Sequence, residues 1–147
     1  MKYRIDLHCH SRFSSDGVSE PEEMVQAARE RGLHGFAITD HNTCACVDYF
    51  LSAGLMREDG HPVNDFLILP GQEITTSAGH LLALGVRLPD LKGIGPAEAV
   101  GLIKEAGGYA TDVGNGDPLE TSAIVAGNQY MHALLRPIVA EGMLPPA

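Results

Sequence analysis

Seven histidines and 19 acidic residues share a chain of 147 residues, and several of the histidines fall in short runs with carboxylates. Asp6, His8 and His10 alternate along an extended segment, so their side chains share one face and can converge. Two imidazoles so spaced on a strand form a bidentate grip for a metal ion, while Leu7 and Cys9 turn the other way into packing. Thr39-Asp40-His41-Asn42-Thr43 follows an apolar run, where loops leave the carboxyl end of a strand. Asp40 or Thr43 could cap a helix there, but no capping rule needs His41. Glu73 closes the run FLILPGQE, and His80 follows the turn-rich ITTSAG. If the strands on either side pair as a hairpin, Glu73 and His80 meet at the edge that carries His8, His10 and His41. Asp16, within Ser14-Ser15-Asp16-Gly17, is either a turn residue or a further ligand. Imidazole and carboxylate donors suit Zn²⁺, Mn²⁺ or Fe²⁺ rather than Ca²⁺ or Mg²⁺. A carboxylate such as Glu73 can bridge two ions about 3.5–4 Å apart, which together generate hydroxide and hold the charge of a phosphoryl transition state.

The elements that must position these groups are readable from periodicity. YRIDL (3–7) and GFAIT (35–39) are expected strands, with FLILP (66–70) and HLLALGV (80–86) as apolar runs suited to buried ones. Ser19 opens a helix with Pro21 in its first turn and Glu22 placed for a capping box, and Gly32 closes it. A second helix spans about 43–53, and a third runs from Pro96 to Gly107-Gly108, with GYATDV as one more strand. This alternation predicts an α/β fold with a largely parallel sheet. Beyond Val113 the pattern offers one helix, about 121–135, and a Pro-terminated tail.

Composition narrows the function. The chain is 44% apolar and 20% charged, enough for one cored domain. A net charge of −9 repels a phosphate backbone, and the 5% aromatic content, without Trp, offers few stacking platforms. A duplex-coating role is therefore all but excluded, and single-strand binding by base stacking is disfavoured. No long apolar run suggests a membrane span, and MKYRIDLHCH lacks the apolar stretch of a signal peptide, so a cytoplasmic protein is expected. Cys9, Cys44 and Cys46 are an odd set with no CxxC spacing, consistent with reduced thiols.

Three ordered segments resemble the PHP (polymerase and histidinol phosphatase) family: Asp6-Leu7-His8-Cys9-His10-Ser11 with Ser15-Asp16-Gly17, then Ile38-Thr39-Asp40-His41-Asn42-Thr43, then Pro70-Gly71-Gln72-Glu73-Ile74 with Gly79-His80-Leu81-Leu82. The resemblance covers about residues 1–113 and implies the first half of a distorted (β/α)7 barrel, with 114–147 as a divergent tail. It implies His8, His10, His41, Glu73 and His80 as ligands of two or three divalent ions (Mn, Zn or Fe), Glu73 bridging and Asp16 binding a further ion. It also implies phosphoester hydrolysis by a metal-activated hydroxide, with Asp16, His41 and Glu73 as the catalytic candidates, and the acidic charge favours a small phosphorylated metabolite or nucleotide as the substrate. The chain departs from the family where an Ala-His-Pro segment is usual, placing Gly114-Asn115 there, with Asp117-Pro118 nearby. A late Asp-x-His has no counterpart, and His132 stands alone on the expected tail helix. The alternative reading is a non-catalytic or truncated PHP remnant that binds metal or serves as an assembly module. Half a barrel leaves open strand edges, through which a homodimer is expected.

Overall fold

The computed structural model describes residues 3–112. The elements run in the order β1 (Ile5–Cys9), α1 (Pro21–Glu30), β2 (Gly35–Ile38), α2 (Ala45–Ser52), β3 (Leu67–Leu69), β4 (Gly71–Thr76), β5 (Gly79–Leu84), α3 (Pro96–Glu105) and β6 (Tyr109–Asp112). Proline opens α1 and α3, where its missing N–H costs no helical hydrogen bond. Gly32 and Gly107, with φ of 75° and 85°, end those helices in the left-handed region that glycine adopts without strain. The expected capping box does not form. Glu20 rather than Ser19 caps α1, and no side chain bonds the first turn. The Glu20 carboxylate instead accepts from Arg12 Nε at 2.7 Å. The expected tail helix, and with it Gly114, Asn115, Asp117 and His132, lies outside the described residues.

Two three-stranded sheets result, rather than one largely parallel sheet. In the first, β1, β2 and β3 pair in parallel in that order; in the second, β4, β5 and β6 pair antiparallel. The connections dictate the difference. Parallel neighbours need a long crossover, which α1 and α2 provide, whereas only Ser77 and Ala78 separate β4 from β5. The run FLILPGQE splits at Pro70, which cannot donate to a ladder. Leu67–Leu69 stays with the parallel sheet, and Gly71–Thr76 starts the antiparallel one. Among the described residues the sheets do not close into a barrel; β1 and β3 end the first sheet and β4 and β6 the second.

The parallel sheet packs one face against α1 and α2, burying Val25, Ala28, Phe36, Phe50, Phe66 and Ile68. A second cluster, Ile74, Ala83, Val86 and Ile103, seats α3 on the antiparallel sheet. Beyond Ile38 the chain leaves β2 and runs alongside β4. Glu73 N–H donates to the Asp40 carbonyl and Asn42 N–H to the Glu73 carbonyl, each at 3.0 Å. This short parallel bridge, His41 opposite Glu73, joins the two sheets. No helix among the described residues is long and apolar enough to cross a membrane.

Candidate metal centre

The junction of the sheets gathers six ionisable side chains. His8 is the penultimate residue of β1 and His10 follows the strand; His41 and Glu73 face each other across the bridge. His80 lies opposite Thr75 in the β4–β5 hairpin and Glu73 opposite Leu82. Directly opposed residues share a face, so His80 is the diagonal neighbour of Glu73, within reach of a long side chain. Asp16 comes from the loop between β1 and α1.

Glu73 sits at the middle with its side chain 5% exposed. Its Oε1 contacts His8 Nε2 and lies 3.2 Å from His10 Nε2. Its Oε2 lies 3.1 Å from His41 Nδ1 and 3.0 Å from His80 Nδ1. Asp16 closes the outer side, 2.9 Å from His10 Nδ1 and 3.0 Å from His41 Nε2. Three triads therefore form: His8–His10–Glu73, His10–Asp16–His41 and His41–Glu73–His80, each with ligand atoms within 4.8 Å of one another. Every pair of triads shares one residue. The donor chemistry fits cations well. His8 Nε2 and His10 Nε2 point at each other across 3.2 Å with a carboxylate oxygen beside both, a convergence of lone pairs that a divalent ion satisfies better than a proton.

All six sequence-identified candidates thus arrive at one place, but Asp6 does not. Between the Asp6–Phe36 and Cys9–Ile38 pairs β1 holds one residue more than β2, and this bulge breaks the alternation. Asp6 lines a cavity under α1 with Cys9 and Phe36, and its carboxylate accepts the His8 N–H at 3.0 Å. Burial, with Asp6 and Asp40 nearby, pushes the Cys9 thiol well up, and burial takes Cys46 to about 12, so neither is a ready thiolate ligand.

Sequence reasoning underrated the residues behind the ligands. Asp40 is 1% exposed and caps no helix; its two oxygens accept the Ser11 N–H and hydroxyl, each at 2.6 Å. Asn42, in the left-handed region at φ 55°, clamps Thr75 by accepting its N–H at 2.9 Å and donating to its hydroxyl at 3.0 Å. Four polar residues in a row, Thr39 to Asn42, were the available signal; only their partners could separate ligand from support.

The cluster makes the stability of the metal-free chain depend on pH in both directions. Burial alone would raise the Glu73 carboxyl, yet hydrogen bonds from His10 and His8 and the charge of His41 hold it below its ordinary 4.5. Burial likewise opposes Asp16, which Ser14 and His10 bring down to about 2. His10 moves the opposite way: burial lowers it, but Glu73 and Asp16 outweigh that and raise it above 6.5. A depressed carboxyl stabilises above its unfolded value and loses that contribution as pH falls; a raised imidazole stabilises below its unfolded value and loses it as pH rises. The chelator-treated protein is thus expected to gain most from this cluster between about pH 4.5 and 6.5. Urea midpoints at pH 3, 5.5 and 8 check this; a midpoint that does not peak near 5.5 contradicts the paired charges.

Fold and site define an α/β protein whose imidazole–carboxylate cluster is suited to divalent cations. The PHP domain profile matches residues 6–109, more than half of the chain, and the protein belongs to the PHP domain family. An uncharacterised protein of Methanocaldococcus jannaschii is 30% identical over 117 residues, covering 73% of this chain and 64% of that protein. An error-prone DNA polymerase of Rhodopirellula baltica is 52% identical over 48 residues, 32% of this chain and 4% of the polymerase. A 5'-3' exoribonuclease of Haemophilus influenzae is 46% identical over 48 residues, 33% of this chain and 17% of the nuclease. The chain spans less than two thirds of the length of each of these relatives.

Proposed function

We propose that this chain carries the metal site of a phosphoesterase acting on a small phosphorylated metabolite or nucleotide, its strands forming part of the family's barrel. The observation that supports this best is the closed set of three triads built on Glu73, His10 and His41. His8, His10 and Glu73 would hold one divalent ion and His41, Glu73 and His80 a second; Asp16 would take a third together with whichever of His10 and His41 does not give its one lone pair to an inner ion. Ions bound there, Mn, Zn or Fe by the donor set, supply Lewis acidity toward phosphoryl oxygens and acidify a water. The chain's own part is positional and protonic. Glu73, nearly buried, keeps four imidazoles turned inward, and its depressed carboxyl remains an anion throughout the working pH range. Asp16, 52% exposed and held as an anion, and His41, 19% exposed, stand at the open rim, the side from which a substrate would approach. The net charge of −9 favours a small substrate over a duplex.

A protein that binds metal without turnover is the second reading, supported by Gly114-Asn115 standing where the family usually has Ala-His-Pro. One experiment separates the two. The purified chain is assayed on a panel of phosphomonoesters and nucleotides with added Mn²⁺, alongside elemental analysis of bound metal. Two or more ions per chain with phosphate release is the expected result; full metal uptake without any hydrolysis would establish the second reading.

A further inference from the structure

Of the six clustered side chains, Asp16 has the weakest claim to a fixed position. It lies on an irregular loop and is 52% exposed, whereas the other members sit on or beside strands. A ligand free to rotate binds a cation poorly, because its rotamer freedom must be lost on binding. Ser14 removes that freedom. Its hydroxyl donates to Asp16 Oδ1 at 2.8 Å and accepts the backbone N–H of His41 at 3.1 Å. One buried hydroxyl, in a residue only 4% exposed, thus ties the loop carboxylate to the chain that carries the histidine beside it.

The anchor behind Ser14 is equally definite. Ser14 N–H donates to the Ser11 carbonyl at 3.0 Å, and Ser11 is held by both oxygens of Asp40. Asp40 precedes His41 in the chain, so the bonds form a circuit: Asp40, Ser11, Ser14 and back to His41. A turn-forming serine would bond only within its own loop. The Ser14–His41 bond spans 27 positions of sequence and has no use in making the turn.

We propose that Ser14 is the positioning residue of the outer triad, His10–Asp16–His41, and sets its affinity for a divalent cation by fixing Asp16. The inference rests on the metal-site reading above. The hydroxyl makes no hydrogen bond to the side chain of His8, Glu73 or His80, and its bond to His41 is to the backbone N–H, so the ligand side chain it fixes is that of Asp16. Losing an oriented partner of a metal ligand costs about 10–100-fold in affinity.

The test is calorimetric titration of the chelator-stripped full chain with Mn²⁺, with circular dichroism to verify folding. The variants are Ser14→Ala, Asp16→Asn, their double, and Ser15→Ala, whose side chain lies on the exposed side of the same loop. Ser14→Ala should weaken by about 10–100-fold only the ion whose binding Asp16→Asn abolishes. The double variant should bind no worse than Asp16→Asn, because Ser14 acts through Asp16. Ser15→Ala should match the parent. If Ser14→Ala does not fold, Ser14→Cys, of similar size with a weak donor, serves the same comparison. Parental binding in the Ser14 variant, equal weakening of every ion, or additive losses in the double would each overturn the inference. A parent chain that takes up no Mn²⁺ would instead remove the metal-site reading, and this inference with it.

Discussion

Glu73→Gln is expected to leave a folded protein that has lost at least one equivalent of divalent metal and, if the proposed phosphoesterase reading holds, any turnover by about a hundredfold or more. The substitution keeps the size of the side chain and one carbonyl oxygen but deletes the one negative charge that, among the described residues, touches His8, His10, His41 and His80 together. Two cations sharing that carboxylate repel each other strongly at the few-ångström spacing of two-metal sites, and a neutral amide offsets little of it. The fold survives for a local reason. The bridge between the sheets uses the backbone of residue 73, bonded to Asp40 and Asn42, and not its side chain. Circular dichroism, metal analysis and phosphate release read the three parts separately. The variant should also flatten the acid side of the metal-free stability profile, since the depressed carboxyl is gone. Full metal content with parental turnover would show that Glu73 bridges nothing.

Asp6 shows where the sequence stops being sufficient. Strict alternation places Asp6, His8 and His10 together, and His8 and His10 do arrive in the cluster. A single extra residue in β1 sends Asp6 to the α1 side, and a bulge leaves no mark in a pattern of apolar and polar letters. Pro70 is the opposite case. Its inability to donate was visible, yet its consequence, a change of sheet in the middle of FLILPGQE, depends on which partner each half finds. The β4–β5 hairpin was legible because a short polar turn with glycine separated two apolar runs, and its register then delivers His80 to Glu73. The second sheet's antiparallel sense follows from the same short turn, which reading strand–helix alternation over the whole chain obscured.

Ligands were easier to find than supports. A histidine two residues from another, or placed after a strand where no cap needs it, has few competing explanations. Asp40, Ser11 and Ser14 have many, since aspartate and serine cap helices and make turns everywhere. Only geometry shows that the Asp40 carboxylate is spent on Ser11 and that the Ser14 hydroxyl reaches across to His41.

Gly35→Ala should be the most damaging single-atom addition to the parallel sheet, and it separates folding from chemistry in the reverse sense to Glu73→Gln. Gly35 opens β2 opposite Leu67 of β3, and a Cβ there would stand 2.1 Å from the Leu67 carbonyl oxygen and 3.0 Å from its carbonyl carbon. These are backbone atoms of a paired strand, so no rotamer can relieve the contact; β2 and β3 must part. Parting them opens the cluster of Phe36, Phe66 and Ile68 and disturbs the bridge of His41, three residues past the end of β2, with Glu73 in β4, which follows β3 after Pro70. The expected loss is about 3 kcal/mol or more, a large share of the 5–15 kcal/mol that holds an ordinary domain together. Gly101→Ala makes the control. It lies within α3, where a Cβ meets nothing within 4 Å, and alanine there should add about 0.5–1 kcal/mol by limiting the unfolded chain. Thermal and urea unfolding of the metal-free variants should therefore move in opposite directions from the parent. If Gly35→Ala unfolds at the parental midpoint, β2 and β3 do not pair at the spacing that brings His41 to Glu73.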